Sequence, residues 1–165
     1  MKFKKTILYS THFDSPLGDM TLAATDRGLA GLWFDQQRHW PDTTGWLAKD
    51  DHPVLVETIA QLRDYFAGRR DRFDLPLDLS HGTAFQQSVW QALLAIPAGA
   101  TTSYGALSAN VGNPAAVRAV GAAVGRNPIS VIVPCHRVLG ADGSLTGYAG
   151  GLERKTALLE LEGAR

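Results

Sequence analysis

The sequence predicts a mixed α/β (α+β) protein in two small domains, because strand-like and helix-like patterns occupy different halves of the chain. Apolar alternation interrupted by turns runs through residues 7–34, as in an antiparallel meander. Helix caps and helical spacing dominate from Thr83 onward. A chain of 165 residues with 45% apolar content has room for two small cores. We therefore predict domains at 1–82 and 83–165.

The N-terminal half is predicted to contain an antiparallel three-stranded sheet and one helix. Residues 7–13, 20–24 and 29–34 are strand-like and are separated by turns; a polar loop follows. Apolar residues then recur at helical spacing over 55–66, which predicts a helix. Alternation over 73–79 indicates one more edge strand.

The C-terminal half is predicted to be mainly helical. Thr83 caps the first helix, with Gln86 three residues later as in a capping box. Ser103 caps a short second helix, and Asn113 caps a third with Pro114 in its first position. The last two helices, joined by a tight glycine-containing turn, form a candidate helix-turn-helix.

The third of these helices, Ala115 to Val124, consists of Ala, Val and Gly with Arg118 as the one exception. Small residues let a helix approach a DNA backbone closely, and one long cation then projects from a smooth surface. They equally allow close helix packing, with Arg118 in an ordinary salt bridge. Composition alone leaves both interpretations open.

Charge is unevenly spread in this chain, whose formal net charge is zero. No Asp or Glu occurs from Thr83 to Ala141, whereas Arg118, Arg126 and Arg137 fall in that segment. A carboxylate-free segment with several arginines suits a phosphate-facing surface. A buried core would show the same depletion. The zero net charge argues against a globally basic nucleic-acid binder.

Cys135 is the only cysteine, and it follows an apolar run that Pro134 closes. We interpret the run as a buried strand that ends at Pro134, because proline cannot donate to a sheet ladder. His136 and Arg137 come next, and cationic neighbours favour a thiolate. A lone cysteine is often only a small buried hydrophobe, but this placement indicates a reactive site.

Cys135 and His136 together indicate nucleophilic cysteine catalysis, with Glu160 or Glu162 as candidates to orient the imidazole. A turn after the proline, or a bridging water, is needed to bring the thiol and the imidazole together. One cysteine excludes an internal disulfide framework and indicates a reducing cytoplasm. The basic start is a poor signal peptide, and no apolar stretch approaches the roughly 20 residues that cross a bilayer.

Residues 134–138, Pro-Cys-His-Arg-Val, resemble the active-site signature of the O6-alkylguanine-DNA alkyltransferases, also called methylated-DNA–protein-cysteine methyltransferases. The resemblance covers nearly all of residues 83–162. It includes the Ser-Tyr-Gly-Ala-Leu segment 103–107, the predicted recognition helix 113–121 and the Gly-Tyr-Ala-Gly-Gly-Leu segment 147–152. Motifs, order and spacing all agree.

The resemblance implies a set of catalytic residues. Cys135 is the expected alkyl acceptor, His136 the general base acting through water, and Glu162 the group that orients the imidazole. Asn127 is expected to support the turn between the recognition helix and the active site. Tyr104 is expected to press on the flanking phosphate and to hydrogen-bond the guanine as it leaves.

The resemblance also implies a DNA surface and a substrate pocket. Arg118 is expected to enter the base stack as a finger where the flipped base was. The other expected DNA contacts are Ala115, Ala119, Gly121 and Arg126, with Tyr104. The expected pocket residues are Val138, Tyr148, Ala149 and Gly150. The small residues there predict that adducts larger than methyl are also accepted.

The implied function is DNA repair. The protein is expected to bind double-stranded DNA in the minor groove, without sequence preference, and to flip out O6-alkylguanine or O4-alkylthymine. The alkyl group then moves irreversibly to the protein's own cysteine, once per molecule. The implied fold is a ribonuclease-H-like N-terminal domain followed by a winged-helix-like C-terminal domain.

No cofactor, membrane or obligate protein partner is expected, and the protein is expected to be a cytoplasmic monomer. Some members of the family hold a structural zinc in the N-terminal half through cysteines and histidines. This chain departs from them, because it has one cysteine and its histidines are scattered. We therefore predict no metal site.

Three alternatives remain in view. A cysteine hydrolase would turn over repeatedly. A helix-turn-helix regulator would read the major groove with varied polar side chains, which the predicted recognition helix lacks apart from Arg118. A damage-sensing relative would bind alkylated DNA without the acceptor cysteine, and Cys135 is present.

Overall fold

The computed structural model describes residue 3 and residues 6–165. The chain divides into two compact units. The N-terminal unit contains Met1–His81 and Pro128–Ser130, and the C-terminal unit contains Gly82–Asn127 and Val131–Arg165. The chain therefore passes from one unit to the other three times.

The N-terminal unit is a four-stranded sheet with one helix. Its elements are β1 (Tyr9–Ser15), β2 (Gly18–Thr25), β3 (Gly28–Phe34), β4 (Leu47–Ala48) and α1 (Pro53–Phe66). The strand order is β3-β2-β1-β4, with antiparallel pairs between the first three strands of the chain and a parallel pair between β1 and β4. The three predicted antiparallel strands and the predicted helix are confirmed.

Two details of the sheet were predicted wrongly. Residues 73–79 form no ladder; one isolated bridge joins Leu77 to Leu29. Pro76 accepts a hydrogen bond from Leu29 N but has no N–H to return, so pairing cannot extend past it. The polar loop predicted after the third strand contains the short strand β4, whose two residues are exposed and carry little periodicity.

A second short segment lies along β3. Leu32 N donates to Pro128 O at 2.8 Å, and Ser130 N donates to Leu32 O at 2.9 Å. The Ser130 hydroxyl donates to Gln37 Oε1 at 3.3 Å. Residues 128–130 thus belong to the N-terminal sheet, although they lie between two stretches of the C-terminal unit.

The C-terminal unit is mainly helical. Its elements are α2 (Ala84–Leu94), β5 (Thr102–Ser103), α3 (Tyr104–Asn110), α4 (Val117–Gly125), a 3₁₀ turn (Cys135–Arg137), β6 (Val138–Leu139) and α5 (Leu152–Leu161). The predicted capping box is present, since Gln86 N donates to the Thr83 hydroxyl and Thr83 N donates to Gln86 Oε1. The predicted cap on α3 is also present, because the Ser103 hydroxyl accepts from Ala106 N.

The predicted recognition helix corresponds to α4, which begins later than predicted. Its N-cap is Ala116, without a side-chain cap, and Asn113 and Ala115 lie in the preceding turn. The backbone of Asn113 is committed to that turn, because its carbonyl accepts from Ala116 N and from the Ser108 hydroxyl. Gly112 permits this path with a φ of +80°.

The buried strand predicted before Cys135 is absent. Residues 130–133 form turns instead, and Val131 has a φ of +71°, which is incompatible with an extended strand. Pro134 then leads into the 3₁₀ turn that Cys135 begins. The apolar run is nevertheless buried. Across the part of the chain that the structure describes, every helix is too short or too polar to span a bilayer.

Candidate active site

Cys135 is a buried free thiol, with 6% of its surface exposed. Its backbone N–H donates to Val133 O at 2.8 Å, which fixes the start of the 3₁₀ turn. Burial raises the pKa of Cys135 to about 11, although the nearby Asn127 amide and the Lys155 charge both favour the thiolate. A cationic neighbour does favour the thiolate, as expected, but burial has the larger effect and keeps the pKa of Cys135 above its ordinary value.

Asn127 connects the end of α4 to the cysteine. Its backbone N–H donates to Val124 O, and its side chain is buried. Side-chain Nδ2 donates to Val133 O at 2.7 Å and to Cys135 Sγ at 3.1 Å. One amide group thus fixes the turn and also touches the sulfur directly.

His136 follows the cysteine and has no exposed surface. Its Nε2 lies 2.8 Å from Glu162 Oε2, so the carboxylate accepts and Nε2 carries the proton. Nδ1 is buried and has no hydrogen-bond partner among the described residues. Burial lowers the pKa of His136 despite the opposing effect of Glu162. The imidazole is therefore neutral and has a free lone pair on Nδ1.

Glu162 is held by a second residue as well. It is the C-cap of α5, and its side chain is 1% exposed. Arg137 Nε donates to Oε1 at 2.9 Å, and Arg137 Nη2 donates to Oε2 at 2.8 Å. The third guanidinium nitrogen, Nη1, donates to Ile96 O at 2.5 Å. The predicted role of Arg137 was limited to its charge beside the thiol, and its contact with Glu162 was missed.

Lys155 is a site residue that the sequence reasoning missed entirely. Its ammonium group is fully buried and donates to Val138 O at 2.6 Å and to Thr146 O at 2.7 Å. Burial lowers the pKa of Lys155 to about 8, and interaction with Cys135 opposes that shift. The available signal was its position three and four residues before Leu158 and Leu159, the buried face of α5.

The predicted DNA-contacting residues lie on α3, α4 and their ends, outside this hydrogen-bonded cluster. Those on the turn and helix of α4 are exposed, apart from the half-buried Gly121; they are Ala115, Arg118, Ala119 and Arg126. Arg118 makes no ion pair with any residue that the structure describes, so the ordinary salt bridge considered for it is not formed. Tyr104 begins α3, and a Cβ added at Gly121 would lie 3.7 Å from its ring.

The predicted pocket residues flank the loop between β6 and α5. Val138 is buried in β6, and the half-buried residues Tyr148, Ala149 and Gly150 precede α5. Lys155 ties the two ends of this loop together through Val138 O and Thr146 O. Among residue 3 and residues 6–165, no group of three or more His, Cys, Asp or Glu side chains is placed to hold a metal ion.

Comparison with known proteins agrees with this geometry over both units. The family model described as "6-O-methylguanine DNA methyltransferase, DNA binding domain" matches residues 84–164. The model described as "6-O-methylguanine DNA methyltransferase, ribonuclease-like domain" matches residues 7–79. Together they span most of the chain and assign a separate domain to each half.

Individual relatives are similar along almost their whole length. The methylated-DNA–protein-cysteine methyltransferase of Mycobacterium bovis is 52% identical over 152 residues, which is 92% of this chain and 90% of that protein. The protein of the same name from Methanosarcina acetivorans is 47% identical over 160 residues, which is 95% of this chain and 99% of that protein.

The crystal structure of Mycobacterium tuberculosis OGT in complex with DNA is 49% identical to this chain, with a TM-score of 0.87, and the match covers 94% of this chain and 93% of that one. Since both family models match in order and relatives that are 52% and 47% identical cover more than nine-tenths of the chain, the chain belongs to the family of methylated-DNA–protein-cysteine methyltransferases.

Proposed function

We propose that this protein repairs DNA by transferring the alkyl group of O6-alkylguanine to Sγ of Cys135, once per molecule. The observation that carries the proposal is the buried Cys135 thiol, which contacts Asn127 and directly precedes a neutral imidazole held by Glu162. The family relationship supports the same chemistry. The M. tuberculosis relative in complex with DNA supports DNA as the partner.

The first step is proton transfer from the thiol to the imidazole. We propose that the proton passes from Cys135 Sγ to His136 Nδ1 through a bound water, while Glu162 accepts from Nε2 and stabilises the imidazolium. With a cysteine pKa of about 11 and a lowered histidine pKa, this transfer is unfavourable in the free protein. Loss of the thiol proton is therefore coupled to attack on the substrate, and the thiolate does not accumulate beforehand.

The second step is substitution at the alkyl carbon. The Sγ–carbon bond forms as the carbon–O6 bond breaks, and its electron pair leaves with the guanine. Tyr104 hydrogen-bonds the leaving base and stabilises its developing charge. The product is a thioether with no carbonyl for water to attack, so the cysteine is not regenerated and each molecule reacts once.

DNA enters this proposal through residues 83–165. An alkylguanine inside a duplex is out of reach and must be flipped, which costs a few kcal/mol of stacking. Arg118, which is exposed and forms no ion pair with the described residues, is proposed to fill the vacated position, as a wedge that offsets this cost. The small residues beside it suit close approach to the minor groove without sequence readout. O4-alkylthymine is proposed as a second, similar substrate.

The pocket is proposed to accept adducts larger than methyl, because Ala149 and Gly150 leave room beside Tyr148. Labelling of Cys135 by O6-methylguanine but not by O6-benzylguanine would contradict this. The reaction needs no cofactor in this scheme. A free thiol as the reactive group suits the reducing cytoplasm, where we propose that the protein works as a monomer.

The test is the intact mass of the protein after mixing with duplex DNA that carries one O6-methylguanine, followed by peptide mapping. We expect a gain of one methylene on Cys135, one equivalent per protein, and none in Cys135→Ser. DNA binding without a mass gain would instead identify a damage sensor or regulator. Repeated turnover would identify a different cysteine chemistry.

The finger role of Arg118 has its own test. Arg118→Ala should slow methyl transfer from duplex DNA more than transfer from free O6-benzylguanine, because only the duplex requires base flipping. Arg27→Ala, which removes an exposed cation that this scheme does not place on DNA, is the matched control for simple loss of charge. Equal slowing on both substrates would show that Arg118 does not act by filling the position of the flipped base.

A further inference from the structure

The Glu162 carboxylate is shared between two cationic or proton-donating partners. His136 Nε2 lies 2.8 Å from Oε2, and Arg137 Nη2 donates to that same oxygen at 2.8 Å. Arg137 Nε donates to the other oxygen, Oε1, at 2.9 Å. The guanidinium therefore makes a two-pronged contact that fixes the plane of the carboxylate, as planar fork geometry allows.

Glu162 occupies an unfavourable place for a negative charge. It caps the C-terminal end of α5, where the helix dipole repels anions, and its side chain is 1% exposed. A buried carboxylate without a cation would be neutralised by protonation. Arg137 is itself buried beside it, so the pair can remain ionised in this position.

We infer that Arg137 is a positioning residue for alkyl transfer, which acts on His136 through Glu162 by holding that carboxylate ionised with Oε2 facing Nε2. The inference rests on the proposed function, because it assigns Arg137 to the proton acceptor of that reaction. Arg137 does not touch the sulfur or the substrate in this scheme.

Two separable effects follow from this role. Without Arg137 the carboxylate loses its fixed orientation, so the rate of alkyl transfer falls. The carboxylate that raises the pKa of His136 is also neutralised, and its effect is larger than the opposing charge of Arg137, so the pKa of His136 falls. The charged groups acting on His136 are Glu162 and Lys155 from α5 and Arg137 from its own turn. Because the neutral imidazole is the base, a lower pKa moves the acidic limb of the rate profile to lower pH.

A purely structural role predicts something different. Arg137 Nη1 also donates to Ile96 O, just beyond the end of α2. If this contact were the whole purpose of Arg137, its loss would lower the stability of the protein. The pH dependence of transfer by the molecules that remain folded would then be unchanged.

The experiment measures the second-order rate of methyl transfer to Cys135 as a function of pH, from below to above the pKa of an ordinary histidine. The variants are Arg137→Met, Arg137→Lys, Glu162→Gln and the double variant Arg137→Met/Glu162→Gln. We expect Arg137→Met to slow transfer by roughly 10- to 100-fold, as for groups that orient a reactive side chain, and to move the acidic limb to lower pH. The double variant should be no slower than Glu162→Gln alone, because both substitutions act on the same contact between Glu162 and His136.

Arg137→Lys keeps the charge but not the fork. It should leave the acidic limb where it is in the unsubstituted protein and still lower the rate, and it serves as the second variant if Arg137→Met does not fold. Arg69→Lys is the matched control, because Arg69 binds the Asp64 carboxylate through Nε and Nη2 on an exposed surface. It should change neither the rate nor the profile.

The outcomes separate this inference from the proposed function. If the unsubstituted protein gains no methyl group on Cys135, the proposed function fails. If it is methylated, but the losses from Arg137→Met and Glu162→Gln multiply in the double variant, the inference alone is overturned. An acidic limb that does not move in Arg137→Met would also overturn the inference.

Discussion

The two units differ in the kind of polar group that they bury. The N-terminal unit buries mostly hydroxyls and amides that bond to nearby partners, and its buried carboxylate, Asp78, accepts from Thr25 and from Ser80. The C-terminal unit buries the ionisable side chains of His136, Arg137 and Lys155 close to its cysteine.

This difference separates stability from reactivity. Burying charge is costly and is weak evidence of stabilisation, so a cluster of buried charges indicates a function that needs them. Apolar packing around the N-terminal sheet stabilises the fold without entering the chemistry. Substitutions in the N-terminal core should therefore change the free energy of unfolding, whereas substitutions in the C-terminal cluster should change the rate of alkyl transfer.

The largest expected effect is the pH dependence of the free thiol. With a pKa of about 11, the reaction of Cys135 with iodoacetamide should accelerate continuously through the alkaline range, because only the thiolate reacts. The rate should rise about tenfold per pH unit, whereas an unfolded cysteine peptide should level off near its ordinary pKa of about 8.5. Alkylation followed by mass spectrometry measures both. A plateau near neutral pH would mean that the surrounding cations outweigh burial.

Next in size is a cavity in the N-terminal core. Leu22→Ala removes a fully buried side chain from β2 and should lower the free energy of unfolding by about 3 kcal/mol. Urea denaturation measures this loss. Methyl transfer by the folded protein should keep its rate, because Leu22 lies in the N-terminal unit. If Leu22→Ala slowed methyl transfer as much as a substitution of His136 or Arg137 does, the N-terminal core would affect the reaction as well as the stability.

A smaller effect, on the reaction barrier, is expected at Asn127. Asn127→Ala removes the donor to Cys135 Sγ and should raise the barrier to alkyl transfer by about 2 kcal/mol, as for a lost donor to a developing charge. Single-turnover kinetics with O6-benzylguanine measure it. Ser108→Ala is the control, since it removes a buried hydrogen bond to Asn113 O in the same unit without touching the cysteine. Equal rates in the two variants would show that the Asn127 contact with Cys135 does not lower the reaction barrier.

The smallest effect is expected at the start of α2. Thr83→Ala removes one half of the capping box and should lower the free energy of unfolding by about 1 kcal/mol. The alkyl-transfer rate should not change, although Thr83 belongs to the C-terminal unit. Thermal unfolding and single-turnover kinetics on the same sample test both statements. Slower transfer would mean that residues outside the group of buried charged side chains also affect the reaction rate.

Local signals accounted for much of the fold. The alternation that predicted three strands, and the hydroxyl caps at Thr83 and Ser103, depend on neighbouring residues and were confirmed. The strand predicted before Cys135 failed for a non-local reason. Val131 adopts a positive φ, and the Asn127 side chain holds Val133 O, neither of which an apolar run reveals.

The site was partly visible for a similar reason. Cys135, His136 and Glu162 carry their chemistry in their side chains, and the family resemblance singled them out. Lys155 remained hidden because its partners are backbone carbonyls, which every residue possesses. A lysine on the apolar face of a helix is the one trace that such a buried ammonium leaves in a sequence.

The return of residues 128–130 to the N-terminal sheet also has a consequence for synthesis. A ribosome makes the three long strands and α1 first, and domains generally fold in that order. Here the outer side of β3 lacks its hydrogen-bonding partners at Leu32 until Ser130 has left the exit tunnel. By then α2, α3 and α4 have already been made. The N-terminal unit is thus begun first but completed only when most of its neighbour exists, so cutting the gene after codon 82 would encode an unfinished sheet.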